Sequence, residues 1–198
     1  MKNEIDIKRA DIKKYFDETA KIVGTDEFGL SEFGIYYFET QQYLQTDPNR
    51  NWRVTKVQIG NIEKDVPFFE YLTDNEDTCS LWVYKDKKDY LLLPEFQGGQ
   101  SIFDVEARKL HSFYSEDAPF IWTSIFLSPD KTKLAVTGCY WACPSEIVIY
   151  DCTNLTELPY PCIYRKLLDN NFEIKEWEDD ETVVLMTTNK KEEQRVKI

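Results

Sequence analysis

Residues 121–151 read IWTSIFLSPDKTKLAVTGCYWACPSEIVIYD, and no other stretch narrows the possible folds as much. Residues 122–127 alternate large and small side chains, the pattern of a half-buried strand. Ser128-Pro129-Asp130-Lys131 then breaks the run. Proline presets φ for a turn and lacks an N–H, while Ser and Asp bond the local backbone. Residues 133–137 resume as a strand around Leu134, Ala135 and Val136. Residues 138–145 form a loop ended by Pro144, and 146–150 make a third, β-branched strand closed by Asp151. A weaker fourth strand follows Pro161, through Cys162, Ile163 and Tyr164. Strand, tight turn, strand, longer loop, strand, turn, strand is the four-stranded meander of a propeller blade.

The same order of parts recurs along the chain. Near the amino end, a turn within 28–34 leads to a strand at 35–40. A polar loop at 41–51 follows, then an alternating strand at 52–59, and an outer strand at 66–72 lies after Gly60-Asn61. A second copy has strands at 81–85, 90–93, 100–105 and 108–113. The last copy has 172–177, an acidic turn at 178–181, then 182–188 and 194–198. The inner turns fall near residues 32, 87, 130 and 180, a spacing of roughly 40 to 55 residues, within the range of propeller repeats. The expected fold is all-β, a propeller-like array of three to four degenerate four-stranded meander repeats, with ring closure left open. An irregular β-sandwich or open barrel is the competing architecture. One domain spans 1–198, with repeats at about 14–72, 79–114, 120–165 and 172–198. Residues 1–13 are read as a short helix or a loose arm, because Ile5, Ile7 and Ile12 make no continuous helical face.

The runs FLSPDKTKLAV at 126–136 and EIVIYD at 146–151 resemble a blade of WD-repeat and related propeller proteins, in which a Ser-Pro-Asp turn joins the inner strands. Tyr150-Asp151 stands where those repeats carry Trp-Asp. The run GCYWACP at 138–144 lies outside the general blade pattern. It resembles a motif of small, uncharacterised bacterial propeller-like proteins, as do NWRVTKV at 51–57 and GGQSI at 98–102. That resemblance covers most of the chain and implies a fold.

Composition limits the function. Of 198 residues, 36 are acidic and 24 basic, giving a net charge of −12. No basic stripe is evident, which argues against a nucleic-acid partner; the acidic balance suits solubility or a basic protein partner. The amino terminus MKNEIDIKRADIKKYFDE is charged throughout and has no apolar signal core. No stretch approaches the ~20 apolar residues of a membrane span, so no membrane is expected and the chain is placed in the cytoplasm. Five cysteines then read best as reduced thiols. Cys139, Cys143, Cys152 and Cys162 could in principle hold zinc, but Cys-x3-Cys is wider than the usual paired turn. A Cys139–Cys143 disulfide is the other alternative, and small buried thiols are the default. Neither a metal nor a cofactor is expected.

Catalytic constellations are scarce. His111 is the one histidine, no nucleophile elbow accompanies it, and Gly98-Gly99 is no phosphate cradle. A non-enzymatic, cytoplasmic protein-interaction module is therefore the leading expectation. Equivalent loops of blade meanders share one face, and loops carry recognition more often than strands. The candidate binding residues are Gln42 and Tyr43 in the first such loop, Glu95, Gln97 and Gln100 around the second, and Tyr140 and Trp141 in the third. Tyr and Trp supply large contact area at low entropic cost, although these two could equally plug the loop against the core. Two alternatives stay open: a small-molecule or sugar binder (or enzyme) on the same loop face, and an immunity-type protein neutralising a basic toxin.

Overall fold

The computed structural model describes residues 4–15, 21–47, 50–64, 66–73, 80–93, 95, 99–114, 120–140, 145–168, 172–189 and 191–198. One helix, α1 (Glu4–Tyr15), precedes four antiparallel meanders. The first sheet is β1 (Lys21–Leu30), β2 (Tyr36–Asp47), β3 (Arg50–Asn61) and β4 (Val66–Thr73). The second is β5 (Leu81–Lys85), β6 (Lys88–Leu93), β7 (Gln100–Asp104) and β8 (Lys109–Phe113). The third is β9 (Ile121–Leu127), β10 (Lys133–Cys139), β11 (Glu146–Asp151) and β12 (Cys162–Leu167). The fourth has β13 (Phe172–Asp179), β14 (Thr182–Thr187) and β15 (Glu193–Lys197). Within every sheet the strands lie in chain order, so each pairs only with its sequence neighbours. The chain forms two compact units, Met1–Ser115 and Glu116–Ile198.

Repetition is visible atom by atom. In the third sheet Ser128 N–H donates to the Lys133 carbonyl, Lys133 N–H donates to Ser128 Oγ, and Lys131 N–H donates to the Ser128 carbonyl, each at 2.9 Å. In the first sheet Ser31, Tyr36 and Gly34 make the same three bonds at 2.9, 3.1 and 2.8 Å. Both turns place one residue in the left-handed region, Lys131 at φ 60° and Gly34 at φ 68°. Glycine enters that region without steric cost, whereas lysine does not. A shared tryptophan bond marks the next level of packing. Trp82 of β5 donates to the Gly29 carbonyl of β1 at 3.2 Å, and Trp177 of β13 donates to the Phe126 carbonyl of β9 at 2.9 Å. In each unit the first strand of the later sheet is thus tied to the first strand of the earlier one.

The cores follow the same plan. In the first unit Phe38, Val57, Ile59, Leu91, Leu93 and Phe103 are buried together, with the Phe69 ring 4.3 Å from that of Phe103. In the second, Ala135, Ile147 and Ile149 of the third sheet meet Ile174, Val183, Leu185 and Val196 of the fourth.

One sequence expectation is corrected here and one alternative decided. Residues 41–47 and 50–51 belong to strands, not to a polar loop: β2 and β3 stay in register from Tyr36↔Asn61 to Asp47↔Arg50 without a break. Their Gln, Thr and Asn side chains look loop-like in sequence, but the ladder needs only backbone groups. Of the helix and the loose arm weighed for the amino end, the structure has the helix over Glu4–Tyr15. Ile5 and Ile12, two turns apart, are buried against Val54, Leu72 and Tyr114, while Ile7 faces solvent. Two anchors suffice because the rest of the grip is polar: Arg9 Nη2 donates to Glu95 Oε1 at 2.7 Å and to Ser112 Oγ at 3.0 Å.

Candidate functional site

The residues picked out in the sequence fall in both units. Gln42 and Tyr43 lie inside β2, opposite Thr55 and Val54. Tyr43 Oη donates to Gln41 Oε1 at 2.9 Å, and Gln41 in turn donates to Glu39, so the polar row is internally bonded. Glu95 is buried and takes the bond from Arg9; Gln100 is buried at the start of β7, opposite Phe113. Gln97 and Trp141 lie outside the described residues. Tyr140, in the second unit, is half-buried. Its ring is 5.2 Å from that of Phe120, and the Arg165 guanidinium lies over both rings at 5.9 and 5.8 Å. Glu146 holds Arg165 at 3.3 Å.

This corner depends on Gly138. A Cβ there would run into the backbone oxygen of Ile121 and come within 2.6 Å of the Phe120 ring. The glycine of the GCYWACP run therefore serves close packing between β9 and β10. Gly138→Ala should destabilise the chain by about 2 kcal/mol, checked by urea unfolding; a loss below about 0.5 kcal/mol would mean that β9 shifts at little cost. Nearby, burial pushes the Tyr150 phenol up to about 12, so it stays protonated at neutral pH. His111 sits in β8 opposite Ile102, and burial holds its imidazole below the usual range. Of the described cysteines, Cys152 is buried, Cys139 half-buried and Cys162 exposed, all as free thiols; Cys79 and Cys143 lie outside the described residues. No cluster of metal-ligating side chains occurs among the described residues, and no described helix is long and apolar enough to cross a membrane.

A surface that sequence reasoning missed lies at the opposite end of the first sheet. There β1 turns into β2 and β3 turns into β4. Ile62 N–H donates to the Ile35 carbonyl at 3.0 Å, and Asn61 pairs with both Tyr36 and Val66, so the two turns are stitched side by side. Turns at a sheet end are ordinarily polar. Here Phe28, Leu30, Phe33, Ile35, Ile62 and Val66 are all exposed, with Phe28 at 62%, Phe33 at 58% and Val66 at 62%. They are held in place from below: Phe28 stacks on Tyr37 at 5.9 Å, and Phe33 meets the Tyr84 ring edge-on at 4.7 Å. Beside them opens a groove of about 220 Å³, lined by Tyr36, Asn61, Lys64, Val66, Phe68 and Arg108 among others. The Arg108 guanidinium lies 5.1 Å from the Phe68 ring centre, a cation over an aromatic floor. The sequence trace of this surface is the pair of apolar residues flanking Gly34 and the two flanking the 63–65 turn, positions where solvent-facing turns favour polar side chains.

No protein-family model matches the chain, and no curated protein sequence matches it. Solved structures do resemble it. The dihydro-heme d1 dehydrogenase NirN aligns over 88% of this chain and 38% of its own, with 14% identity and a TM-score of 0.50. The hydrazine synthase of Kuenenia stuttgartiensis aligns over 87% and 58%, with 9% identity and a TM-score of 0.53. The β-propeller domain of Cps50 (Swd1) from Myceliophteria thermophila aligns over 88% and 70%, with 14% identity and a TM-score of 0.48. The chain spans less than two thirds of the first two proteins' own lengths. At such identities the likeness concerns the fold alone, and that fold is all-β and propeller-like.

Proposed function

We propose that the chain is a non-enzymatic binding module that docks another protein on the apolar end of its first sheet. The observation that carries this reading is the run of exposed Phe28, Leu30, Phe33, Ile35, Ile62 and Val66 across two stitched turns. Soluble proteins seldom leave contiguous apolar surface of this kind open unless it is used. The adjoining groove sets the partner's chemistry. Lys64 and Arg108 line it, and among the described residues no carboxylate does, so the fitting occupant is a protein segment that combines bulky apolar side chains with an Asp or Glu. Aromatic and Arg anchors of this kind carry most of the energy at protein interfaces.

The test is a selection from a displayed random-peptide library on the whole chain. Enriched peptides should pair large apolar residues with a carboxylate. Their affinity should fall about thirtyfold in Phe33→Asp/Val66→Asp, as the loss of hot-spot contacts implies, and should also weaken in Arg108→Glu. No enrichment, or undiminished binding to a variant with an unchanged melting curve, would overturn the reading. Concentration-dependent dimerisation of the unliganded chain, abolished by the same pair of substitutions, would reassign the surface to a second copy.

A further inference from the structure

A second cavity lies in the first unit, where α1 crosses β4. It measures about 380 Å³ and is lined by Arg9, Lys13, Lys56, Glu70, Tyr71 and Leu72. That volume is within the range of small-molecule sites. Its charge is opposite to that of the chain as a whole, which is −12. Among the described residues three cations and one carboxylate line the cavity. Lys56 binds Glu70 at 3.1 Å, and Gln58 also donates to that carboxylate at 3.2 Å. Arg9 is offset by Glu95 at 2.7 Å. Lys13, which is exposed, interacts through space with Glu70.

The guanidinium is the built part of the site. Its Nη2 is held by Glu95 and by the hydroxyls of Ser112 and Ser101, at 2.7, 3.0 and 3.4 Å. Ser101 and Ser112 are themselves bonded at 2.7 Å. The Tyr71 ring centre lies 5.4 Å away. Arg9 Nε is buried and has no hydrogen-bond partner among the described residues. A buried donor left unmade is costly, and a ligand oxygen is one way of satisfying it. Arg9 is therefore held in place without being used up, beside two lysines at the end of an aromatic and aliphatic floor.

We propose that this cavity binds a small organic anion, with a carboxylate or phosphate head against Lys13, Lys56 and Arg9 and an apolar body on Tyr71 and Leu72. Binding consumes no covalent chemistry and leaves the docking end of the first sheet untouched.

The experiment titrates the full chain with phenyl phosphate, benzoate and inorganic phosphate at constant ionic strength, followed calorimetrically. Saturable binding of phenyl phosphate or benzoate is expected, at least about threefold tighter than inorganic phosphate because the ring adds buried apolar area. In Lys13→Gln/Lys56→Gln it should weaken about tenfold or more, the factor expected for losing charge-assisted contacts. Lys64→Gln, on the docking groove, should bind as the unaltered chain does. If the double variant does not fold, Lys13→Gln alone decides, since that side chain is exposed and its loss should still weaken binding. No saturation by either aromatic anion at roughly 10 mM, undiminished binding in the lysine variants, or inorganic phosphate binding equally well would each overturn the proposal.

Discussion

Glu95→Ala is expected to cost about 4 kcal/mol of stability, the range found when one member of a buried ion pair is removed and the other is stranded. The Glu95 side chain is only 1% exposed and the Arg9 side chain 20%. Without the carboxylate, the guanidinium keeps two weak hydroxyl partners and faces a low-dielectric hole. Arg9→Ala removes the carboxylate's 2.7 Å ion-pair partner instead and should cost a similar amount. Replacing both together, Arg9→Met with Glu95→Leu, should cost less than either truncation, because no charge is then left buried. Equilibrium urea unfolding of the three variants reads this directly. A loss under about 1 kcal/mol in both truncations would show that the pair is hydrated in solution and worth no more than a surface bridge. Amide exchange along α1 should rise in the single variants, because the bond that ties the helix to the second sheet is gone.

Phe103→Ala is the second large effect, at about 4 kcal/mol. The ring is fully buried between the sheets of the first unit and lies 4.3 Å from Phe69 and 6.3 Å from Phe68. Truncation removes the transfer term and leaves a cavity that two paired sheets cannot close, since collapse would break register on both sides. Phe103→Leu keeps most of the volume and should cost under about 2 kcal/mol. A Phe103→Ala variant as stable as Phe103→Leu, measured by the same unfolding, would mean that Phe68 and Phe69 swing in to fill the gap. The two substitutions also discriminate between a rigid core and a plastic one, because the first opens much the larger void.

The legible part of the fold was local. The Ser128-Pro129-Asp130 turn carries its instructions in adjacent residues, and β10 and β11 are buried runs bounded by them. The equivalent turn at Ser31 was legible as a sequence echo, and the two proved to share hydrogen bonds as well as position. The strands at 35–40 and 52–59 were legible, but the outer half of the β2–β3 ladder was not. Gln41, Gln42, Gln45, Thr46, Asp47, Arg50 and Asn51 dominate it, and a strand with few apolar residues looks like a loop when only side chains are counted. Helix α1 was half visible for a similar reason, with two buried isoleucines seven residues apart and a salt link across 86 residues. Nothing in a local window announces a partner that distant. The candidate surfaces suffered most. Tyr43 and Glu95 are recognition residues by type, yet each makes an internal hydrogen bond. Meanwhile Phe33 and Ile62, which by type belong in a core, stand on turns at the surface.

The grip on α1 also carries a timing consequence for synthesis in the cell. The helix is made at the start of the described chain, but the groups that capture Arg9 lie 86, 92 and 103 residues later. At translation rates of about 5–20 residues per second, the segment leaves the ribosome roughly 5 to 20 seconds before its acceptors exist. Twelve residues with so few apolar contacts do not hold a helix alone in water. Val54 and Leu72 of the first sheet, which cover Ile5 and Ile12, are also made later, so the nascent chain first displays a basic, partly apolar stretch within reach of chaperones.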